Sequence, residues 1–160
     1  MKLALCICPQ WSVQTPSFAI GSLKSHIKNK DVEVEQFDLN IRTSLYTKEK
    51  NIQKFWDWGN DTPWNSEANF KDEILPHFKD LWHEYIDKLA EYDIVAFTTY
   101  ISNIITTDYI ARYLKQKNPK IQIWYGGPYS WFADAAGLVE KDNYREFVDV
   151  ACSSTDGEMI

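Results

Sequence analysis

DIVAFTTYISNIITTDYIARYLKQKNPKIQIWYGGPY, residues Asp93 to Tyr129, holds two short apolar runs, Ile94 to Phe97 and Ile121 to Trp124, separated by a helix-length segment. Both runs are rich in β-formers and end in polar residues or glycine, which is the sequence form of a parallel β-α-β unit. The intervening segment repeats Ile105, Tyr109, Tyr113 and Lys117 at four-residue steps, with Ile110 and Leu114 widening the stripe. Asn118-Pro119 stops it. In an open α/β sheet a ligand sits outside the carboxyl ends of the strands. Thr98, Thr99, Tyr100, Ser102 and Asn103, with Gly126, Gly127, Pro128 and Tyr129, are therefore the first candidates for a site. The glycine pair lets a flat ligand approach the backbone, and a tight turn is its competing reading.

Working outward, Lys2 to Cys8 is nearly all apolar, as expected of a central strand buried on both faces. Pro9 to Thr15 is the following loop. Thr15-Pro16 reads as a helix start, with Thr15 as N-cap, and Ala19, Leu23 and Ile27 form the stripe of a helix ending near Asn29 to Asp31. His26, beside that stripe, reads as half-buried and structural. Val32 to Phe37 alternates with Glu33 and Glu35 and ends at Asp38-Leu39-Asn40, a less buried second strand.

Residues from about Ile41 to Glu91 exceed a simple crossover, so they form a helical, aromatic-rich insert between strands two and three. Trp56, Trp58 and Trp64 sit among turn residues, and Phe70, Ile74, Phe78, Leu81, Trp82, Tyr85 and Leu89 keep helical spacing. Pro76 implies a kink or two helices there. The insert either packs over the sheet edge or covers an apolar ligand or another domain. After Pro128, Trp131 to Glu140 reads as a helix and Phe147 to Ala151 as a fifth strand, leaving Asp156, Gly157 and Glu158 at its polar end. The expected fold is α/β, a doubly wound five-stranded parallel sheet of flavodoxin-like order 2-1-3-4-5, in a single domain over residues 1–160.

The chain has 160 residues, enough to bury roughly two thirds of its unfolded surface in one domain. Its formal charge of −6 and the lack of a basic run argue against a nucleic-acid partner. Cys6, Cys8 and Cys152 are an odd number, with Cys6 and Cys8 on one strand face, so packed free thiols in a reducing cytoplasm are expected. Leu3 to Cys8 is too short for a membrane span. His77 and His83 lie six apart, off one helical face, and do not make a zinc pair. Pro9 to Pro16 contains no glycine, which argues against a phosphate loop, and no Ser-His-Asp, Cys-His or paired-carboxylate set falls at the expected edge. The chain reads as a binding surface without acid-base chemistry of its own.

The succession CPQW (8–11), TPSFAIGSLKSHI (15–27), VEVEQFDLN (32–40), DIVAFTTYISN (93–103), NPKIQIWYGGP (118–128) and FVDVACSSTDGE (147–158) resembles the N-terminal cobalamin-binding domain of radical S-adenosylmethionine enzymes. Thr155-Asp156-Gly157-Glu158 stands where that family usually has Gly-Glu-Gly-Glu. The Asp-x-His-x-x-Gly of methionine-synthase-type domains is missing, as no histidine lies between Met1 and Ser25, and so is the CxxxCxxC of a radical iron–sulfur cluster. The resemblance implies a module that holds base-off cobalamin for a downstream domain of the same polypeptide. That domain would carry the 4Fe-4S cluster and S-adenosylmethionine, with the present chain as N-terminal fragment and methyl transfer, cyclisation or related radical chemistry as the outcome. It also implies contacts from Pro9, Gln10, Trp11, Ser12, Thr15, Asp38, Asn40, the residues already named after strands three and four, and Asp156, Gly157 and Glu158. No side chain is expected on cobalt, whose lower face would be covered by the Pro9 to Thr15 loop, including Trp11. The alternative is a docking or regulatory module that has lost the cofactor.

Overall fold

The computed structural model describes residues 1–27, 31–56, 62–130 and 146–152. Five parallel strands, β1 (Lys2–Ile7), β2 (Glu33–Asp38), β3 (Ile94–Thr98), β4 (Gln122–Gly126) and β5 (Val150–Ala151), form one sheet in the order β2-β1-β3-β4-β5. This is the expected doubly wound topology. The period-two alternation of strand side chains divides the core between two faces. Leu3, Leu5 and Ile7 join Ile94 and Ile20 beneath helix α1 (Phe18–His26). Ala4, Cys6 and Cys8 point the other way, with Val95, Phe97, Ile123 and Tyr125.

That second face carries most of the helices: α2 (Leu39–Glu49), α3 (Thr62–Asn65), α4 (Glu67–Asn69), α5 (Leu75–Leu89) and α6 (Ile104–Lys117). Its filling is aromatic. Trp82 is wholly buried, lies parallel to Phe70 at 5.8 Å and stacks on Phe78 at 5.5 Å, while its indole N–H donates to Thr43 Oγ1 at 3.0 Å. Trp64 is also buried and donates to the Phe55 carbonyl. The insert thus covers a sheet face rather than an edge, because its aromatic stripe is long enough to span the central strands. Trp58 lies outside the described residues.

Pro76 sits in the first turn of α5, where its missing N–H costs no ladder bond, and a π-helical turn over Phe70–Ile74 leads into it. The long helical stripe is divided there, as its proline implied. Helix α2 begins at Leu39, two residues before the expected start of the insert, since the Asp38 carboxylate accepts from Ile41 N at 2.8 Å and caps it.

Three other boundaries differ from expectation. Helix α1 starts at Phe18 with Ser17 as N-cap, not at Thr15-Pro16, and Asp38 Oδ2 draws Ser17 N toward the second strand at 3.3 Å. It runs to His26, which is exposed rather than half-buried, its Nδ1 donating to the Ser22 carbonyl. On α6 the buried residues are Ile104, Thr106, Thr107, Ile110, Ala111 and Leu114, so the expected Ile110 and Leu114 are central while Ile105, Tyr109 and Tyr113 flank them half-buried; Thr107 is tolerated inside because its hydroxyl donates to the Asn103 carbonyl. Strand β5 is limited to Val150–Ala151, for the Asp149 carboxylate takes the Ile123 N–H at 2.7 Å ahead of the paired residues, and Phe147 packs instead against Tyr125. The helix expected over 131–140 lies outside the described residues. Among the described residues no helix is long and apolar enough to cross a membrane.

Candidate functional site

Three loops meet at the carboxyl edge and are tied together by hydrogen bonds. Thr99 joins β3 to β4: its N–H and its hydroxyl both donate to the Gly126 carbonyl, at 2.7 and 2.8 Å, and its own carbonyl accepts from Tyr129 N. Gly127 lies against this knot with φ of +99°, and a Cβ there would stand 2.9 Å from the Thr99 carbonyl oxygen. Only glycine fits. Ser102 Oγ donates to the Gln10 carbonyl at 2.7 Å, and Asn103 Nδ2 reaches the Cys8 and Thr98 carbonyls while its Oδ1 accepts from Tyr100 N. These hydroxyls and amides hold the loops to one another.

Behind the knot a cleft of about 360 Å³ opens on the α1 face of the sheet. Its floor is Leu5, Ala96, Trp124 and Gly126; α1 supplies Phe18, Ala19 and Leu23 along one side, and Thr98, Tyr100 and Pro128 stand at the carboxyl end. The walls are chiefly apolar, as in many small-molecule and cofactor sites. Trp11 stacks on Tyr100 at the rim, with ring centroids 4.0 Å apart and planes 15° from parallel. Burial holds the Tyr100 phenol above its ordinary range, so it stays a neutral hydroxyl.

Of the residues expected from sequence, the structure brings Thr98, Tyr100, Gly126, Gly127 and Pro128 to the cleft, while Trp11 stacks on Tyr100 from outside its lining. Gln10, Thr99, Ser102, Asn103 and Tyr129 belong to the knot behind it. Pro9 is buried at the end of β1, Thr15 is exposed, Ser12 is turned toward α2, and Asp38 and Asn40 bind loop backbone. Asp156, Gly157 and Glu158 lie outside the described residues. Sequence reasoning missed the α1 wall together with Ala96, Trp124 and Cys152. The signal was present, since Ala96, Trp124 and Gly126 alternate with buried Phe97, Ile123 and Tyr125 and so share the face of Leu5.

None of the histidines reaches this edge. His26 ends α1, His77 stacks on Phe55 at 4.0 Å, and His83 Nε2 pairs with the Tyr109 hydroxyl at 2.9 Å. Among the described residues no cluster of three or more His, Cys, Asp or Glu side chains is arranged to hold a metal. Comparison with protein-family models, with curated proteins and with solved structures finds no match for the chain.

All three thiols are free, Cys6 and Cys8 inside the core and Cys152 partly exposed beside the cleft. Burial pushes the Cys8 thiol from 9.0 up to about 12, against a smaller opposing effect of its hydrogen bond with Thr107, and drives Cys6 well up. A thiol-specific disulfide reagent should therefore label Cys152 in the native chain, with Cys6 and Cys8 reacting only on unfolding; fast labelling of three thiols at neutral pH would contradict this burial. The same shifts set a pH dependence. Both thiols stay protonated in the folded state where the unfolded chain ionises, so the Cys8 contribution is intact below 9.0 and is lost as pH rises toward about 12, and Cys6 acts in the same direction. Urea midpoints should fall across that range.

Proposed function

We propose that this chain is a cobalamin-binding module that presents the cofactor to a radical S-adenosylmethionine domain. The observation that carries the reading is the apolar cleft opening at the carboxyl edge, floored by Ala96 and Gly126, with Tyr100, on which Trp11 stacks, at its carboxyl end. The succession of motifs from Cys8 to Glu158 supports it independently of the geometry. An elongated cofactor with a planar macrocycle and an aromatic nucleotide tail suits a surface that joins a broad rim to a narrow apolar slot.

The donor set fits that group in a particular way. Exposed Phe18 and Ile101, at 85% and 64% of their surface, stand at the same edge as Trp11 and give the rim apolar contacts for a macrocycle. Ala96 and Gly126 leave room at the floor of the slot for a flat base. Thr98, Tyr100 and Ser22 provide hydroxyls for its polar atoms, and Trp124 offers an aromatic wall. When bound, cobalamin supplies an alkyl carrier or a redox centre. The chain's part would be to bind and orient it, with Phe18, Ile101 and Trp11 against the macrocycle and Thr98, Tyr100 and Ser22 against its polar atoms.

The test is a titration of the chain with hydroxocobalamin. The expected result is saturable binding with a base-off absorbance spectrum. Reduced to cob(II)alamin, the complex should show no axial-nitrogen splitting in its paramagnetic resonance spectrum. Gly126→Leu should weaken binding at least about tenfold, since Gly126 lies in the cleft floor and its first added carbon makes only an ordinary 3.7 Å contact with Cys152 Cβ, leaving the larger side chain to occupy the slot. No binding by the parent chain, or equal binding by a folded Gly126→Leu variant, would overturn the assignment.

A further inference from the structure

We propose that Asn40 is a positioning residue, acting through Trp11 to hold the aromatic wall at the mouth of the cleft. The inference rests on the binding role just described for that cleft. Asn40 is 2% exposed and lies outside the cleft lining. Its Oδ1 accepts from Trp11 N at 2.8 Å and its Nδ2 donates to the Ser12 carbonyl at 3.1 Å, so one amide satisfies opposite groups of two consecutive residues. Asparagine presents an acceptor and a donor together; aspartate and leucine of similar size do not.

Asp38, two residues earlier, receives Ser17 N on one carboxylate oxygen and Ile41 N on the other. The Asp38-Leu39-Asn40 turn thus grips the loop between β1 and α1 at both of its ends, and Val13 to Pro16 between them are exposed. Trp11 is 36% exposed, so burial does little to fix its ring. Its backbone anchor and its stack on Tyr100 contribute to that, and Tyr100 lines the cleft. Asn40 therefore governs the wall without touching what the wall faces.

Hydroxocobalamin affinity and near-ultraviolet circular dichroism of the full chain, in Asn40→Leu, Trp11→Ala and the double variant, test this. Each single variant should lose the dichroic band of the stacked pair and bind about fivefold more weakly, the worth of one aromatic pair. The double variant should bind no more weakly than the poorer single, because both act through one side chain. Multiplying losses in the double variant, or an unchanged band in Asn40→Leu, would overturn the proposal. Should Asn40→Leu fail to fold, Asn40→Ala, which removes both bonds without adding bulk or charge, should lose the band in the same way; an unchanged band there would equally overturn it. Absence of binding by the parent chain counts against the cobalamin reading, whereas the dichroic comparison judges Asn40 by itself.

Discussion

Gly127→Ala should destabilise the domain by about 3 kcal/mol, the strain of a side chain at positive φ adding to that of an overpacked contact. The residue adopts φ of +99°, and its new Cβ would meet the Thr99 carbonyl oxygen at 2.9 Å and the Thr99 nitrogen at 3.2 Å. Neither atom can yield cheaply. Thr99 is bonded through its N–H, its hydroxyl and its carbonyl to the strand-four turn, so moving it breaks bonds on both sides. Gly126→Ala is the control, as its Cβ would find only Cys152 Cβ at 3.7 Å and should cost less than about 1 kcal/mol. Urea denaturation of both variants reads the difference as a shift in midpoint at constant slope. Equal midpoints would mean that the turn relaxes without the Thr99 contacts.

Trp82→Ala should cost about 3–5 kcal/mol, a large part of the roughly 5–15 kcal/mol that holds a domain of this size together. The ring is completely buried between Phe70 and Phe78, and truncation leaves a cavity in the centre of the aromatic layer. It also strips the Thr43 hydroxyl of its indole donor, although that hydroxyl keeps its own bond to the Leu39 carbonyl at 2.7 Å. Trp82→Phe preserves the stacking and loses mainly the hydrogen bond and some volume, so about 1–2 kcal/mol is expected. Trp11→Ala, at the exposed rim, should cost less than either. A urea series in which Trp11→Ala proved the most destabilising would contradict the packing described for the second face.

The parallel sheet was legible because its evidence is local and repeated. Ile94 to Phe97 and Ile121 to Trp124 are short apolar runs at the right separation, and Lys2 to Cys8 supplies a third. Their order follows from the handedness and shortness of connections. Helix α2 was much less visible, for after Leu39 its buried positions are Asn40, Thr43, Ser44 and Thr47, which no hydrophobic period reveals. Thr43 and Thr47 are accommodated by hydrogen bonds to carbonyls of their own helix, and Thr43 serves Trp82 across 39 positions of sequence. The start of α1 failed for the same physical reason. Thr15-Pro16 is a good local signal, yet Asp38 acts on Ser17 from 21 residues away. At the site, residue types marked the correct edge, while the division between cleft and knot depended on which hydroxyls the backbone had already claimed. Thr99 and Ser102 are committed to Gly126 and Gln10; Thr98, one position away, faces the cleft.

The bonds that join the carboxyl-edge loops have a consequence for how this surface can change. Gln10 is fastened to Ser102, Cys8 to Asn103, and Thr99 to Gly126 and Tyr129, so each loop takes its shape partly from another strand's loop. The edge is one unit of inheritance. A graft carrying only the Gly126-Gly127-Pro128 turn into another α/β scaffold would arrive without the threonine that shapes it, and a transplanted Pro9 to Thr15 segment would lack its serine and asparagine anchors. Variation can act most freely on the exposed tip, Val13 to Pro16. Where a side chain is bonded to another strand's loop, as at Thr99, Ser102 and Asn103, compensating substitutions must be drawn from a different strand.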